Sequence, residues 1–432
     1  MSAKKPVALV SVPTHPRKFT GRFLVRLDAK TNTAAIVRAA KNKGLQLTSL
    51  ADEHSDGLLN KVLQQCDGVI FERLRVALIN EAGAQRLEQL RRSANSPFLS
   101  SEPERFVRAL QAASKLPGVY KDTSVATWGI HAVGATAVRA TGKGVKLAIL
   151  DTGFDFTHPD FSGRTIHRRS FVGTRAAKDN EGHGTHIAGI AGGDRKGRDG
   201  TRYGVASGAR LYIGKILDDA GEGTDGVTLA GIEWALEKGC QIISMSFGAP
   251  VEAGDPPSAV FEQVARIAMA NRCLLIAASG NESDRTKNRP AVAAVNHPAN
   301  CPSIMAVGAL TPALGIADYS CAGTGGPLGP GGSGGSTGSG SPGGAGVSGG
   351  FGGQVDIAAP GDNIFSAKPG GGYRRESGTS MATAFVAGVA ALLWEQYPTA
   401  GAGEIWAKLV QQAWRLSLPA ADIGAGLCAL RN

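Results

Sequence analysis

Two regimes of hydrophobic patterning divide this chain. Up to about residue 110 the apolar runs are short and interrupted by charge. GRFLVRL reads as a strand, TAAIVRAAKNKG as a helix closed by glycine, DGVIFERLRVALI as two strand-like runs and EAGAQRLEQLRRS as a second helix. PFLSSEPERFVRAL supplies a last strand, giving a split β-α-β-β-α-β unit over residues 1–108. QAASKLPGVYKDTSVATWG has no clear period, so residues 109–126 are assigned as a linker. From Gly144 the runs become short and solidly apolar: VKLAIL, ARLYIGKIL, CQIISMS, RCLLIAAS and CPSIMAVGAL. They alternate with helix candidates at THIAGIAGG, GVTLAGIEWALEKG, VFEQVARIAMAN and SMATAFVAGVAALLWEQY. Strands buried on both faces read as continuous apolar runs, so residues 127–432 are expected to form an α/β domain whose parallel sheet carries helices on both faces. Residues 322–353 hold too little apolar surface to pack and read as a flexible Gly/Ser/Pro-rich insertion.

Composition adds limits. Hydrophobic residues make up 42% of the 432, as in an ordinary globular protein, while the 60 glycines are about twice the usual share. Nearly all of the +10 formal charge falls before residue 123. No Lys/Arg run or aromatic-interleaved basic stripe accompanies it, so no nucleic-acid partner is expected. No stretch approaches the apolar length of a membrane span, and no membrane partner is expected. Prolines break the short apolar patch at the N-terminus, which makes a poor secretory signal. The expectation is a cytoplasmic protein, with secretion as the alternative if the true start lies upstream. The six cysteines form no CxxC pair and read as reduced, although Cys301 and Cys321 could pair in an exported protein.

Three segments carry candidate chemistry. In SGTSMATAFVAGVAALLW, Ser380 stands at the mouth of a helix apolar all round, either as its cap or as a nucleophile in a field that favours negative charge. In VKLAILDTG, Asp151 follows a hydrophobic strand, either as a turn former or at the crevice where open parallel sheets bind ligands. In NEGHGTHIAGIAGG, His183 sits between glycines at a helix start, where the backbone can be approached closely. His186 lies three residues on. The familiar helical zinc pair has spacing four with a Glu between, so His186 is read as a buried, hydrogen-bonded residue and no metal site is assigned.

Taken in order, AILDTGFDFTHPDF, HGTHIAG and GTSMATAFVAG resemble the three signature segments of the subtilase family of serine proteases, over a region from about Thr127 to the C-terminus. The resemblance implies a subtilisin-like parallel sheet preceded by a small ferredoxin-like α+β domain. It makes Ser380 the nucleophile of an endopeptidase, His183 its base and then acid, and Asp151 the group that orients the imidazole. CLLIAASGNESD resembles the segment that completes the oxyanion hole, which assigns Asn281 as a donor. IISMSFGAP and ILDDAGEGTDG resemble the two walls that bind an extended peptide, giving Ser246, Phe247, Gly248, Gly221 and Gly223 as substrate contacts. Asp218, Asp219, Glu222, Asp225 and Glu282 near those walls lead to an expected tilt toward basic substrates.

Where the family has proline and histidine beyond the nucleophile, this chain has Ala384 and Phe385. No cofactor is implied for the chemistry. Structural calcium occurs in many relatives, and Asp160 matches one ligand position, but the partner loop is too divergent to assign a site. The N-terminal unit resembles the family's inhibitory propeptide, which would fill the cleft until cut between Leu110 and Asp122. The implied partners are protein or peptide substrates and this intramolecular inhibitor. The alternative from another class is an inactive subtilase scaffold that binds peptides or proteins. An acyl hydrolase is disfavoured, since no GxSxG elbow surrounds the serine.

Overall fold

The computed structural model describes residues 18–49, 58–93, 96–111, 120–173, 176–197, 200–252, 255–286, 291–323 and 353–430. Most of the assigned insertion and residues 112–119 of the assigned linker lie outside them.

The first unit comprises β1 (Phe19–Leu27), α1 (Thr33–Lys41), β2 (Leu47–Ser49), α2 (Leu58–Gln65), β3 (Gly68–Phe71), β4 (Val76–Ile79), α3 (Ala84–Arg91) and β5 (Phe98–Ala109). β1 pairs antiparallel with β4 and β5, β4 with β3, and β2 runs parallel to β3. β2 and α2 are additions to the expected order. One face of the sheet buries Val25, Ile70 and Ala77 with Ile36, Leu87 and Leu90 from α1 and α3. The opposite face buries Leu24, Val69, Phe71 and Leu78 in a core shared with the second unit.

That second unit runs through α4 (Trp128–Ala132), β6 (Lys146–Asp151), β7 (His167–Ser170), α5 (His183–Gly192), β8 (Arg210–Lys215), β9 (Glu222–Thr224), α6 (Asp225–Glu237), β10 (Ile242–Met245), β11 (Phe247–Gly248) and α7 (Ala259–Ala270). It continues with β12 (Leu274–Ala278), β13 (Met305–Leu310), β14 (Ile357–Pro360), the hairpin β15 (Ile364–Lys368) and β16 (Gly372–Glu376), α8 (Thr379–Gln396), α9 (Ala402–Gln412) and α10 (Ala420–Ile423). Seven strands form a parallel sheet in the order β14-β13-β12-β10-β6-β8-β7. α5 and α8 belong to the core on one face, α6 and α7 to the core on the other. The expected α/β class is therefore observed. Strand order reverses at β6, so the crevice typical of such switch points opens at the carboxyl end of that strand, where Asp151 stands.

β5 belongs to two sheets. Its first part pairs with β1, and its last residues lie antiparallel between β9 and β11. Phe106, Val107 and Arg108 face Thr224, Gly223 and Glu222, while Arg108 and Ala109 face Gly248 and Phe247.

Candidate active site

Asp151 and His183 come together across 32 residues of sequence. Asp151 ends β6, and its Oδ1 accepts from His183 Nδ1 at 2.8 Å and from the Thr152 N–H at 2.7 Å. Both side chains are fully buried. His183 opens α5 behind Gly182, whose φ of 110° favours glycine and where a Cβ would stand 2.7 Å from the Arg374 guanidinium. Asp179 fixes this helix start, accepting from the Gly182 N–H, from Thr152 Oγ1 and from both the N–H and Oγ1 of Thr185. With Nδ1–H donating to Asp151, Nε2 is the acceptor nitrogen of the neutral ring, and it is buried with no hydrogen-bond partner among the described residues. Burial alone would push the His183 pKa down, but the Asp151 carboxylate, helped by Glu376 and Glu181, overrides it and raises it to about 9.

Ser380 does not cap its helix. α8 begins at Thr379 behind Gly378, which leaves Ser380 in the first turn with Oγ donating to the Ser246 carbonyl at 2.9 Å. Ser246 Oγ returns a bond to the Ser380 carbonyl at 3.1 Å. α5 and α8 pack together, so His183 and Ser380 lie in the opening turns of neighbouring helices. Asn281 follows β12. Its Oδ1 accepts from the Thr379 N–H at 3.0 Å and from Thr379 Oγ1 at 2.9 Å, which leaves Nδ2 buried and without a partner among the described residues. Nδ2 and the Leu110 carbonyl both crowd Gly378, 3.1 and 2.6 Å from where a Cβ there would stand. A side chain at 378 would thus fill the space where carbonyl and donor converge.

All five expected substrate contacts lie along the end of β5. Gly223 and the pair Phe247–Gly248 supply the strand pairing already described. The Ala109 N–H donates to the Gly221 carbonyl at 3.0 Å and the Leu110 N–H to the Ser246 carbonyl at 3.4 Å. On the far side of Leu110, Gln111 Nε2 donates to Glu181 Oε1 at 3.2 Å. Within the acidic wall, Asp218, Asp219 and Glu282 are exposed and Glu222 is half-buried. Asp219 takes Lys215 and Asn180, Asp218 caps its own turn, and Asp225 is buried. Glu282 accepts from Asn296 and from its neighbour's N–H, which leaves Glu222 as the wall carboxylate paired with a β5 side chain, Arg108, at 3.5 Å.

Two groups that sequence reasoning missed hold β5 from its own side. Glu104, fully buried, accepts from the Gly226 N–H in the first turn of α6 at 2.8 Å and from Thr20 Oγ1 and Arg22 Nε. Glu102 does the same at α7, accepting from the Ala259 N–H at 3.0 Å and from Ser258 Oγ. Anions at helix N-termini are stabilised there, and their spacing of two along a strand was the available signal.

His186 is buried as expected, with Nε2 bonded to the Ile364 carbonyl at 3.0 Å. Burial, with Arg374 and His183 nearby, lowers its pKa to about 3, so it is neutral. Among the described residues no group of three or more His, Cys, Asp or Glu is arranged to hold a metal ion. At Asp160, Oδ2 accepts from the hydroxyls of Tyr203 at 2.7 Å and Tyr373 at 2.9 Å. Calcium takes six to eight oxygen ligands, and these residues do not fit such a site. Phe385 explains one departure from the family pattern, since its ring fills the space over Gly129 in α4. Cys301 and Cys321 form no disulfide, and all six cysteines are free thiols. No helix among the described residues is long and apolar enough to cross a membrane.

The model of the subtilase family matches residues 142–426. M-protease of Shouchella clausii (strain KSM-K16) is 34% identical over 336 residues, covering 75% of this chain and 76% of that protein. An alkaline protease of Alkalihalobacillus alcalophilus is similar to the same extent. Subtilisin Savinase of Lederbergia lenta is 35% identical over 276 residues, 63% of this chain and 85% of the relative. With the sheet, the buried Asp–His pair and these similarities together, the chain belongs to the subtilase family of serine proteases.

Proposed function

We propose that the protein is a serine endopeptidase that works through an acyl-enzyme on Ser380 and first cuts its own chain after Leu110. The observation that carries this reading is the convergence on one carbonyl. The Leu110 C=O lies beside Gly378 and the bare Asn281 Nδ2, next to a helix start that bears Ser380.

The steps follow from the geometry. Ser380 Oγ–H turns from the Ser246 carbonyl to the partnerless His183 Nε2, which takes its proton as Oγ attacks the carbonyl carbon. Asp151 keeps the imidazole in the Nδ1–H tautomer and stabilises the imidazolium that forms. Asn281 Nδ2 and the Ser380 N–H receive the oxyanion, without reorganisation because Thr379 already fixes the amide. The imidazolium then protonates the leaving nitrogen, which in the first cut is that of Gln111. Water, deprotonated by the same imidazole, releases the new carboxyl group.

After the cut the N-terminal unit stays as a product-like inhibitor, held by strand pairing on both edges of β5 and by Glu102 and Glu104 at two helix starts. Leu110 in the primary position and Arg108 opposite Glu222 support a preference for an apolar residue before the cut and a basic residue two places earlier. A self-inhibited start fits export before activation better than the cytoplasmic expectation. An organophosphonate tests the reading: it labels the processed wild type at Ser380 and fails on Ser380→Ala. Absence of label on processed wild type would refute it and favour the scaffold.

A further inference from the structure

The cut lies at one end of the grip on β5, and the other end is held by a device that the chemistry does not use. β9 stops at Thr224 opposite Phe106, and the chain then turns into α6. At that point a side chain continues the pairing: Asp225 Oδ2 accepts the main-chain N–H of Arg105 at 2.8 Å. Asp225 Oδ1 is bonded to His297 Nε2, also at 2.8 Å, and the two side chains are 0% and 1% exposed. His297 belongs to the opposite wall of the groove, because its N–H and C=O exchange hydrogen bonds with Ala249, the residue after β11. Its ring stands edge-on to Phe261 with centroids 4.7 Å apart.

One carboxylate therefore spans the groove floor. It is tied to the far wall through an imidazole and gives its remaining oxygen to the strand above. A buried carboxylate is tolerated when its oxygens are hydrogen-bonded, and the bond to the strand is charge-assisted. The group it contacts is main chain, so the contact is blind to side-chain identity and sensitive to whether an N–H is present.

We propose that Asp225, positioned by His297, is a specificity-determining residue that reads the main-chain N–H of the sixth residue before the cut. This rests on the reading of Leu110 as the residue before the scissile bond, which makes Arg105 the sixth. The favoured substrate is an extended polypeptide segment that runs at least six residues ahead of the cut. Shorter peptides, and segments with proline at that place, are poor substrates because they offer no N–H there.

The test uses protein produced from the full chain and allowed to process. It compares two decapeptides that differ only by an ester oxygen in place of the N–H at the sixth residue before the cut, with cut positions read by mass. Loss of a hydrogen bond to a charged group is expected to lower kcat/KM for the ester by about 10- to 100-fold. In Asp225→Ala the ratio of amide to ester falls toward one. A wild-type ratio within about twofold of one overturns the proposal, as does a large ratio that persists in Asp225→Ala. If the variant fails to fold, the wild-type ratio decides by itself. Cleavage of neither peptide by wild type would remove the peptidase reading and this subsite with it, whereas equal cleavage of both removes the subsite alone.

Discussion

Replacing Glu104 by alanine tests the proposal that the N-terminal unit silences the enzyme. Glu104 lies in a fully buried position on β5, with Oε1 2.8 Å from the Gly226 nitrogen and Oε2 2.5 Å from Thr20 Oγ1 and Arg22 Nε. Removing it strands the Gly226 N–H inside the interface, which costs about 1–3 kcal/mol for an orphaned donor. Loss of an anion at a helix start adds about 0.3–1 kcal/mol. Together these weaken docking by about 1–4 kcal/mol, or about 10- to 1,000-fold in the dissociation constant. The assay dilutes processed protein and records cleavage of a short chromogenic peptide. The concentration at which activity reaches half its maximum should rise by that factor, while the maximum itself stays unchanged because the peptidase unit is intact. A shift below about threefold would show that strand pairing alone holds the inhibitor, and would refute the reasoning.

Asn281→Ala should lower kcat by about 10²–10³ with little change in KM, measured on any peptide that the wild type cuts. With neutral His183 as the proposed base, its raised pKa puts the acid limb of the kcat/KM profile well above 6.5, toward about 9. Glu376→Gln removes one of the charges that raise it and should move that limb to lower pH, whereas an alkaline shift would contradict the assignment. The same group gives a sign for stability in uncleaved Ser380→Ala. His183 is raised above its unfolded value, so its contribution is complete below about pH 6.5 and is lost as pH rises through about 9, which melting temperature against pH will show. Gly129→Ala drives a methyl group into the Phe385 ring and should cost about 1–3 kcal/mol, seen as a melting point lower by several degrees.

The parts legible in the sequence were those whose cause is local. Five buried strands announced themselves as solid apolar runs because both faces of the sheet are covered; Asp151 ends one of them, and His183 and Ser380 each sit in a short segment whose glycines and small residues mark a tight helix start. β14 and the β15–β16 hairpin escaped because IAAP is too short to show a period and GYRRE is half-exposed and charged. Long-range partners hid the rest. Asp225 reads as one of several wall acids, and only contacts with residues 105 and 297 reveal it as a buried bridge between walls. Glu104 occupies a buried strand position that periodicity would assign to an apolar side chain, since the helix start that satisfies it lies more than a hundred residues away. The turn of Ser380 Oγ toward Ser246 instead of His183 is likewise invisible in any motif.

Intact mass after expression of the full chain, wild type against Ser380→Ala, tests the central claim most directly. The account predicts that the wild type separates into two pieces with the new C-terminus at Leu110 and the new N-terminus at Gln111 or, after further trimming, shortly beyond it, while Ser380→Ala stays whole. A wild type that remains intact, or a Ser380→Ala chain cut at the same bond, would contradict it.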